Sequence, residues 1–565
     1  MRIGIDIGGT HTDAVLIDGT RLIAAAKAPT NHDNLLESIN QVLQTVLVDQ
    51  DAARVETLNL STTLSTNAIV TGKIDAVGML VAGGPGIAPE TYQIGDHFHV
   101  IPGSLDHLGT ETAPLDEAEL EQAIEACLAQ GVQCFAVAAK FSPRNPVSEN
   151  RMREQLGERA DVVSSGHLVS GQLNFGRRIH TAYYNSAVWK TFRSFSTALA
   201  ASLHGFTLQG EVNILKADGG TMPMARALET PVQSIFSGPA ASVMGIMATT
   251  QATSDLIMLD IGGTTTDIAL FAGGQPLLER EGIAINNHPT LVRAIHVESI
   301  GIGGDSLISV GTSGVRTGPH RLGPCLADGG PAATLMDACN VLGLSHLGDV
   351  SRSHDGLEAL AADHTMNSRQ LATKAVDVAV NAIATKIEAL IALVNAKPVY
   401  TIHEILEERD INPQKIIVIG GPASVFQGLL QTRLGMDVIV PPLFGVVNAI
   451  GAALTRTTSH LTLTADTAKG KVSAPMLGVF RSIPRSYSLD DAIEEARNLL
   501  VTDLTQAGVP LPADEIQITQ ADSFNMVEGA YTSGRNIRVV AQVQPAVIAQ
   551  LDSGSAVDVQ ISANP

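Results

Sequence analysis

The stretch Ile3-Gly-Ile-Asp6-Ile-Gly8-Gly9-Thr10-His11-Thr12-Asp13-Ala-Val-Leu-Ile-Asp18 joins two apolar segments through a pair of glycines and hydroxyl-bearing residues. Nearly the same pattern returns as Ile257-Met-Leu-Asp260-Ile-Gly262-Gly263-Thr264-Thr265-Thr266-Asp267-Ile-Ala-Leu-Phe271. Apolar segments on either side of a glycine-rich turn predict a β-hairpin. Because the two copies lie too far apart for a solenoid, they predict two related domains.

The tip of each predicted hairpin has the composition of a phosphate-binding loop. Glycine lets the backbone approach a phosphate closely, and successive N–H groups form a nest for an anion. A single copy could equally be a plain turn, but two copies favour tips that hold a triphosphate from both sides. The predicted phosphate-binding residues are Gly8, Gly9, Thr10, Thr12, Gly262, Gly263, Thr264 and Thr265.

Four aspartates flank the two tips and are the candidate catalytic residues. Asp6 and Asp260 end the first strand of each hairpin, where a carboxylate would repel phosphate but can order Mg²⁺ through water. They are therefore also the predicted metal-ordering residues. Asp13 and Asp267 follow the tips. Each of these two can act as a base or polarise a water, or can instead hydrogen-bond its own turn.

Two further glycine pairs follow strand-like segments. The pair Gly420-Gly421 follows the apolar run 416–419, at the end of a strand where open α/β sheets bind ligands. Gly303, Gly304 and Asp305 follow the strand-like segment 296–300. Gly-Gly turns are common in loops, so each pair by itself is a weak signal of binding.

Taken together, these segments resemble the hydantoinase A/oxoprolinase family, within the superfold shared by sugar kinases, actin and the seventy-kilodalton heat-shock chaperones. The resembling segments are residues 6–13, 61–68, 218–220, 237–240, 260–267, 303–306, 323–325 with Asp337, and 420–421. They follow the family's order across roughly residues 1–455. The resemblance implies an α/β fold in which two ribonuclease-H-like ATPase domains flank a nucleotide cleft.

The resemblance also implies a chemistry. ATP and Mg²⁺ are the expected cofactors, and the expected substrates are cyclic amides such as hydantoins or 5-oxoproline. ATP phosphorylates the carbonyl oxygen of the ring, water attacks the activated carbon, and phosphate leaves as the ring opens. The residues expected to line the adenosine side are Gly303, Gly304, Asp305, Gly420 and Gly421.

Three further residues are candidate substrate ligands. The family places Thr66 and Asn67 near the substrate, although the pair could instead form a polar helix cap. Asp218 follows a predicted strand and could bind substrate or metal, or could simply belong to a turn. Three departures from the family pattern leave the identity of the substrate open: His11 in place of an aromatic residue, no glutamate near residues 176–182, and no Tyr-Gly-Arg after residues 323–325.

Three other functions remain open from the sequence. The chain could be the ATP-binding subunit of an acetone- or acetophenone-type carboxylase. It could be a small-molecule kinase, which would leave its phosphate on a stable hydroxyl product. It could also be an actin- or chaperone-like ATPase, although nothing in the sequence resembles a peptide-binding domain or a filament contact.

Alternating helix and strand patterns predict three units, at residues 1–190, 200–455 and 460–565. The predicted helices are 34–49, 116–130, 238–247, 369–395, 446–454 and 489–506. The predicted strands are 76–81, 134–139, 212–215, 416–419, 539–543 and 556–561. The last unit is predicted to be a small α+β module with a structural or partner-binding role, because it contains no chemical motif.

Composition narrows the class of protein. The 36 Lys and Arg against 57 Asp and Glu give a net charge of −21, which disfavours a general nucleic-acid binder. The apolar share of 45% predicts packed cores. With no signal-peptide pattern and no convincing membrane span, a cytoplasmic enzyme is expected.

The resemblance implies a separate hydantoinase B-type partner subunit, because the chain shows no second half, and an oligomer is expected.

Overall fold

Two sheets, each containing one of the repeated hairpins, form the centre of a mixed α/β fold. This computed structural model describes residues 1–552 apart from 207, 280, 313, 363, 397–409 and 529–530, and also residues 560–561. The α/β class expected from the sequence is confirmed. The predicted strand 556–561 lies outside the described residues, except for Gln560–Ile561.

The first sheet is built around the strand Arg2–Ile7. This strand pairs antiparallel with His11–Asp18 and parallel with Thr57–Thr62. Glu211–Leu215 in turn pairs parallel with Thr57–Thr62, so three parallel strands end at one edge of the sheet. The outer strands are Thr221–Pro223 on one side, and Arg21–Pro29 followed by Gln560–Ile561 on the other.

The second sheet repeats this arrangement. Leu256–Ile261 pairs antiparallel with Thr266–Ala272 and parallel with Lys415–Ile419. Thr266–Ala272 also pairs with Val297–Ile300, and Lys415–Ile419 pairs with Asp437–Ile439. The repeated sequence therefore builds the same hairpin twice, as predicted, and each hairpin also gains a parallel neighbour.

Two helices made largely of small residues, Ser237–Thr249 and Val447–Leu454, pack against each other between the sheets. A Cβ on Gly451 would lie 2.4 Å from Gly245 N, so the two helices can touch this closely only with glycine there. Val447–Leu454 also packs on the first sheet, where a Cβ on Gly4 would lie 2.0 Å from the backbone of this helix. The helix pair thus joins the two sheets.

A smaller parallel sheet extends the N-terminal part of the chain. Its strands, in order, are Val162–Ser165, Cys134–Ala139, Val77–Ala82 and His97–Val100. The long helix Phe175–His204 packs on this sheet. The predicted boundary between residues 190 and 200 falls inside that helix, and the strands at 211–223 still belong to the first sheet. The two central sheets therefore divide later, between residues 223 and 256.

The C-terminal module combines a sheet and a helix, as predicted. In order, its strands are Val479–Ser482, Lys471–Ala474, His460–Asp466, Tyr531–Gln542 and Gln517–Glu528. The helix Leu489–Gln506 packs on the sheet and has the predicted bounds. After residue 543 the chain leaves the module and returns to the rest of the fold, where Asp552 N donates a hydrogen bond to Thr20 O.

The other elements surround these sheets. The remaining helices are Leu35–Val46, Leu64–Val70, Glu117–Ala129, Val147–Leu156, Gly166–Val169, Met224–Glu229, Leu335–Leu342, Val350–Ala362, Ser368–Asn395 and Ala423–Leu434. The remaining strands are Ser104–Leu105, Glu111–Ala113, Gln275–Pro276, Leu278–Glu279, Ala284–Ile285, His288–Pro289, Ala294–Ile295, Ile308–Gly311 and Gly314–Thr317. Among the described helices, none combines the length and the apolar character needed to span a membrane.

Candidate active site

The tips of the two hairpins lie against each other. A Cβ on Gly263 would be 3.8 Å from Thr10 Cγ2, so side chains at the two tips are almost in contact. No atom lies within 4 Å of a Cβ placed on Gly9, and the side chains of Thr264 and Thr265 are exposed. The tips therefore keep an open face, as a phosphate-binding loop requires.

The two tips also have the same internal hydrogen bond. Gly8 N donates to His11 O at 2.9 Å, and Gly262 N donates to Thr265 O at 2.9 Å. These matching bonds show that the two tips, which are similar in sequence, also form the same turn.

Thr12 is an exception among the predicted phosphate ligands. It is fully buried, and its hydroxyl hydrogen-bonds that of Thr30 at 3.0 Å. In the hairpin register it lies opposite the core residue Ile7, so the alternation of side chains along the strand turns it away from the open face. The prediction of Thr12 as a phosphate donor is therefore wrong.

The strand-end carboxylates Asp6 and Asp260 meet at a single amide. Asn448 Nδ2 donates to Asp6 Oδ2 at 3.3 Å and to Asp260 Oδ2 at 3.4 Å. Ser242 Oγ donates to Asp260 Oδ2 at 2.6 Å. Asp6 Oδ1 is buried, and a hydrogen bond from Ser61, which lies opposite Asp6 on the parallel strand, lowers the pKa of this carboxylate against the effect of burial. The fold thus brings together the two aspartates that the sequence predicted.

The aspartates on the second strand of each hairpin complete the site. Asp13 lies opposite Asp6 and Asp267 opposite Asp260 in the hairpin registers. Lys27 Nζ forms an ion pair with Asp13 Oδ1 at 2.5 Å, and Ser299 Oγ donates to Asp267 Oδ1 at 2.5 Å. The partners of both aspartates therefore come from neighbouring strands, in contrast to the alternative prediction that they bond their own turns.

The four carboxylates lie in a negative, poorly hydrated environment. Burial raises the pKa of Asp6 to about 7, and the charges of Asp13 and Asp260 act in the same direction. Burial also raises the pKa of Asp267 to about 6, helped by Asp260. The ammonium of Lys27 lowers the pKa of Asp13 and of Asp260, although burial keeps both above their ordinary value.

These carboxylates suit Mg²⁺ held partly by water. Among the described residues, no three His, Cys, Asp or Glu side chains are close enough to hold a metal ion by themselves. Mg²⁺ needs less than that, because it keeps several waters and takes one or two carboxylates together with phosphate oxygens. Asp6 and Asp260, which share the amide of Asn448, meet this requirement.

The raised pKa values predict that stability falls with rising pH. Asp6 titrates at about 7 in the folded chain against 3.8 ordinarily, so between about pH 4 and 7 the folded state binds more protons. This proton-linked stability is present at low pH and is lost as pH rises through 7. We expect the Tm of the metal-free chain to be higher at pH 5.5 than at pH 8, as measured by calorimetry.

Mg²⁺ provides the control for this prediction. Because the ion binds ionised carboxylates, it should raise the Tm more at pH 8 than at pH 5.5. A Tm that rises with pH in the absence of metal, or a Mg²⁺ effect independent of pH, would contradict the prediction.

The glycine turn at residues 303–305 is bonded to the second tip. Gly304 N donates to Gly262 O at 2.9 Å, and Asp305 N donates to Gly263 O at 2.7 Å. A Cβ on Gly303 would lie 2.6 Å from the same tip backbone. The turn therefore lies beside the second hairpin, and its predicted contact with adenosine stays a prediction.

The glycine pair at residues 420–421 lies beside Asp260. Gly420 has a φ of +92°, and a Cβ there would come within 2.8 Å of Asp260 Oδ1 and 2.2 Å of Ile261 O. Only glycine combines this backbone conformation with so close an approach. Gly421 is exposed, with open space at its Cβ position, so it remains a candidate to line the nucleotide.

The predicted substrate residues Thr66 and Asn67 lie within the helix Leu64–Val70. The N-cap position belongs to Thr63, so the alternative that they form a helix cap is wrong. Thr66 Oγ1 accepts a hydrogen bond from Phe236 N at 3.0 Å, which ties this helix to the start of the helix that follows Phe236. Asn67 is exposed and remains available to a ligand.

Asp218 lies at the same edge of the first sheet but in a second polar cluster. It accepts hydrogen bonds from Gly220 N at 3.0 Å and from Lys216 Nζ at 3.2 Å. The bond to Gly220 gives it the turn role that was one of the predicted alternatives. Together with Lys216 and His460, it lines a small cavity.

Four residues that contact the site aspartates were not predicted: Lys27, Ser242, Ser299 and Asn448. Asn448 is the only polar residue of the helix Val447–Leu454. Ser242 is fully buried in a helix of small and apolar residues, so a search for buried polar residues in such helices would have found it.

Comparison with known proteins assigns this architecture to a family. The sequence profile described as the hydantoinase/oxoprolinase N-terminal region matches residues 2–160, and the profile described as hydantoinase/oxoprolinase matches residues 178–460. The chain belongs to the hydantoinase/oxoprolinase family. The family match covers both hairpins, both later glycine turns and Asn448.

Individual relatives and solved structures extend the match. The caprolactamase subunit alpha of Pseudomonas jessenii is 28% identical over 484 residues, which make up 78% of this chain and 68% of the relative. A nucleotide-free acetone carboxylase structure has a TM-score of 0.71 at 17% identity, covering 96% of this chain and 87% of the other. The ATP-dependent caprolactamase of Pseudomonas jessenii has a TM-score of 0.67 at 21% identity, covering 98% and 88%. The family fold therefore extends over almost the entire chain.

Proposed function

We propose that this chain is an ATP-dependent hydrolase of cyclic amides, or the ATP-binding subunit of one. The proposal rests on one observation: two glycine tips in near contact, each flanked by a pair of aspartates, with Asn448 joining Asp6 to Asp260. Membership of the hydantoinase/oxoprolinase family supports it, as does the relationship to a caprolactamase subunit. In this proposal two ribonuclease-H-like domains, one around each hairpin, flank a nucleotide cleft.

The triphosphate of ATP lies between the two tips in this proposal. Backbone N–H groups and threonine hydroxyls on the open faces donate to its oxygens. Asp6 and Asp260 would hold Mg²⁺ through water, and the ion would neutralise charge that develops on the phosphates. Lys27 offsets part of the remaining negative charge through Asp13. The glycine turns at 303–305 and 420–421 line the adenosine side.

Phosphorylation would make the ring amide reactive. The carbonyl oxygen attacks the γ-phosphorus and ADP leaves, which gives an O-phosphorylated ring. One water adds to the activated carbon, and the C–N bond breaks to release the ring nitrogen as an amine. A second water releases phosphate, so each opening consumes one ATP and two waters. Asp267, with a pKa of about 6, is the proposed base for a water.

A partner subunit is part of the proposal. The relative from Pseudomonas jessenii is itself named as a subunit. We propose that a separate hydantoinase B-type chain assembles with this one into an oligomer and completes the hydrolytic step.

Substrate-stimulated phosphate release tests the proposed function. The chain, alone and co-expressed with a B-type partner, is supplied with Mg-ATP and 5-oxoproline, hydantoin, simple lactams, or acetone with bicarbonate. We expect a cyclic amide to stimulate phosphate release, with one ring opened per phosphate. Stimulation only by the ketone with bicarbonate would replace this function with carboxylation, and phosphate retained on the substrate would replace it with a kinase activity.

A further inference from the structure

An ion pair lies where the two hairpin tips meet. A Cβ on Gly263 would be 2.7 Å from Asp305 Oδ2 and 3.8 Å from Thr10 Cγ2, so the carboxylate of Asp305 lies against the second tip and close to the first. Arg321 donates twice to the same oxygen, from Nε at 3.0 Å and from Nη2 at 2.9 Å. The guanidinium is therefore held beside the second tip, separated from it by one carboxylate.

The backbone that carries Arg321 is fixed to the same part of the fold. Leu307 N donates to His320 O at 2.9 Å, so the loop before Arg321 is bonded to the segment after Asp305. Asp305 N in turn donates to Gly263 O at 2.7 Å. Because the arginine is already held at the tip, it loses little conformational freedom when a ligand binds.

The guanidinium of Arg321 retains donors for a ligand. It has five N–H donors, of which Asp305 accepts two, and the described part of the chain gives it no further partner. The Arg321 side chain is 31% exposed, so a ligand can reach the remaining donors. A guanidinium matches phosphate in geometry and in charge, and such charged hydrogen bonds are stronger than those between neutral groups.

A cation at this position also balances the charge at the tips. Lys27 pairs with Asp13 on the first hairpin, and Arg321 pairs with Asp305 beside the second. Burial raises the pKa of Asp305, and the guanidinium opposes this and favours the ionised carboxylate. Without Arg321, an unpaired carboxylate at the tip would repel phosphate.

We propose that Arg321 binds the phosphate chain of ATP at the second tip, and that Asp305 positions its guanidinium rather than contacting the nucleotide. This inference rests on the proposed function for the place of ATP. It gives each hairpin one cation held by a carboxylate, Lys27 at the first and Arg321 at the second. Because the guanidinium contacts only phosphate, its removal should weaken the binding of ATP and leave the binding of adenosine unchanged.

Nucleotide binding without turnover tests this contact. The full chain is titrated by calorimetry with Mg-AMPPNP, a non-hydrolysable analogue of ATP, and with adenosine. Arg321→Gln should weaken binding of the analogue about tenfold or more and leave the affinity for adenosine unchanged. The matched control is Arg481→Gln in the C-terminal module, where Arg481 Nε also donates to a carboxylate, Glu495 Oε1 at 3.1 Å. This control should change neither affinity.

The possible results separate this inference from the proposed function. A wild-type chain that binds no Mg-AMPPNP would contradict the proposed function, and this inference with it. Equal affinity for the analogue in the wild type and in Arg321→Gln would overturn this inference alone. A parallel loss of adenosine binding in Arg321→Gln would show that the residue only supports the fold of the site, and would also overturn the contact with phosphate.

A double variant distinguishes direct contact from simple masking of charge. In Arg321→Gln the carboxylate of Asp305 is left unpaired, so addition of Asp305→Asn should recover part of the lost affinity for Mg-AMPPNP. If Arg321 contacts phosphate, the double variant remains weaker than the wild type. A double variant that binds as tightly as the wild type would show that Arg321 only masks Asp305, and would overturn the proposed contact.

Discussion

Asp6→Asn should lower the kcat for substrate-stimulated phosphate release by about 10²–10³-fold or more. Asparagine keeps the shape of the side chain and its contact with Asn448, but it removes the charge that would order Mg²⁺. The charge of this buried carboxylate is the property that the substitution removes. Asp260→Asn should have a similar effect, because the two carboxylates occupy matching places on the two hairpins.

Stability distinguishes this effect from simple misfolding. A buried carboxylate with a pKa raised to about 7 destabilises the folded chain at pH 8, so Asp6→Asn should raise the Tm of the metal-free protein while it removes activity. Asp18→Asn, at the exposed end of the same hairpin, is the matched control and should change neither property. Undiminished phosphate release by Asp6→Asn would exclude Asp6 from the metal site.

Gly4→Ala should destabilise the protein by about 3 kcal/mol or more and lower its Tm by about 5 °C or more. The new Cβ would lie 2.0 Å from Ala449 O and 2.5 Å from Ala453 N, and both are backbone atoms of the helix Val447–Leu454. A backbone cannot move aside as a flexible side chain can. This helix also carries Asn448, so its displacement should reduce phosphate release as well.

Gly428→Ala is the matched control for this substitution. Gly428 lies on an exposed position of the helix Ala423–Leu434, with no atom within 4 Å of its Cβ position. Alanine is a better helix former than glycine by about 1 kcal/mol, so this variant should have an unchanged or higher Tm. If the Gly4→Ala protein had the same Tm as the wild type, the prediction would be wrong, because the helix and strand could then move apart without loss of stability.

Local patterns predicted the parts of the fold that depend on neighbours in sequence. The hairpins, the helix at 489–506 and the strand at 134–139 have the expected type and bounds within a few residues. In each of these the apolar period, the turn residues and the flanking caps favour the same structure.

The long helix Phe175–His204 was not predicted, for a physical reason. Most of its N-terminal half is buried on all sides and includes polar residues such as Arg178 and Asn185, so no apolar stripe alternates with a polar face. The domain boundary was consequently placed inside it. Nor could the pairing of Glu211–Leu215 with Thr57–Thr62 be predicted, because that pairing joins segments far apart in sequence.

In the candidate site, too, the sequence predicted the residues that lie in local motifs and missed those that only the tertiary structure brings there. Repetition of the sequence identified Asp6, Asp260 and the glycines, because each lies in a local motif. Lys27 and Asn448 reach the site only through tertiary structure, one through an adjacent strand and the other through a helix more than four hundred residues away from Asp6. Thr12 was misjudged because its place in the motif said nothing about which face of the strand it occupies.

Asn448 gives the molecule a built-in reporter of opening. One side-chain amide bridges carboxylates that belong to two different sheets. Any rotation that parts the two sheets must break at least one of these bonds, because a single NH₂ group cannot follow both partners. The nitrogen and proton resonances of this one amide should therefore shift each time the sheets separate, and under the proposed function their exchange rate would report the opening that admits a nucleotide.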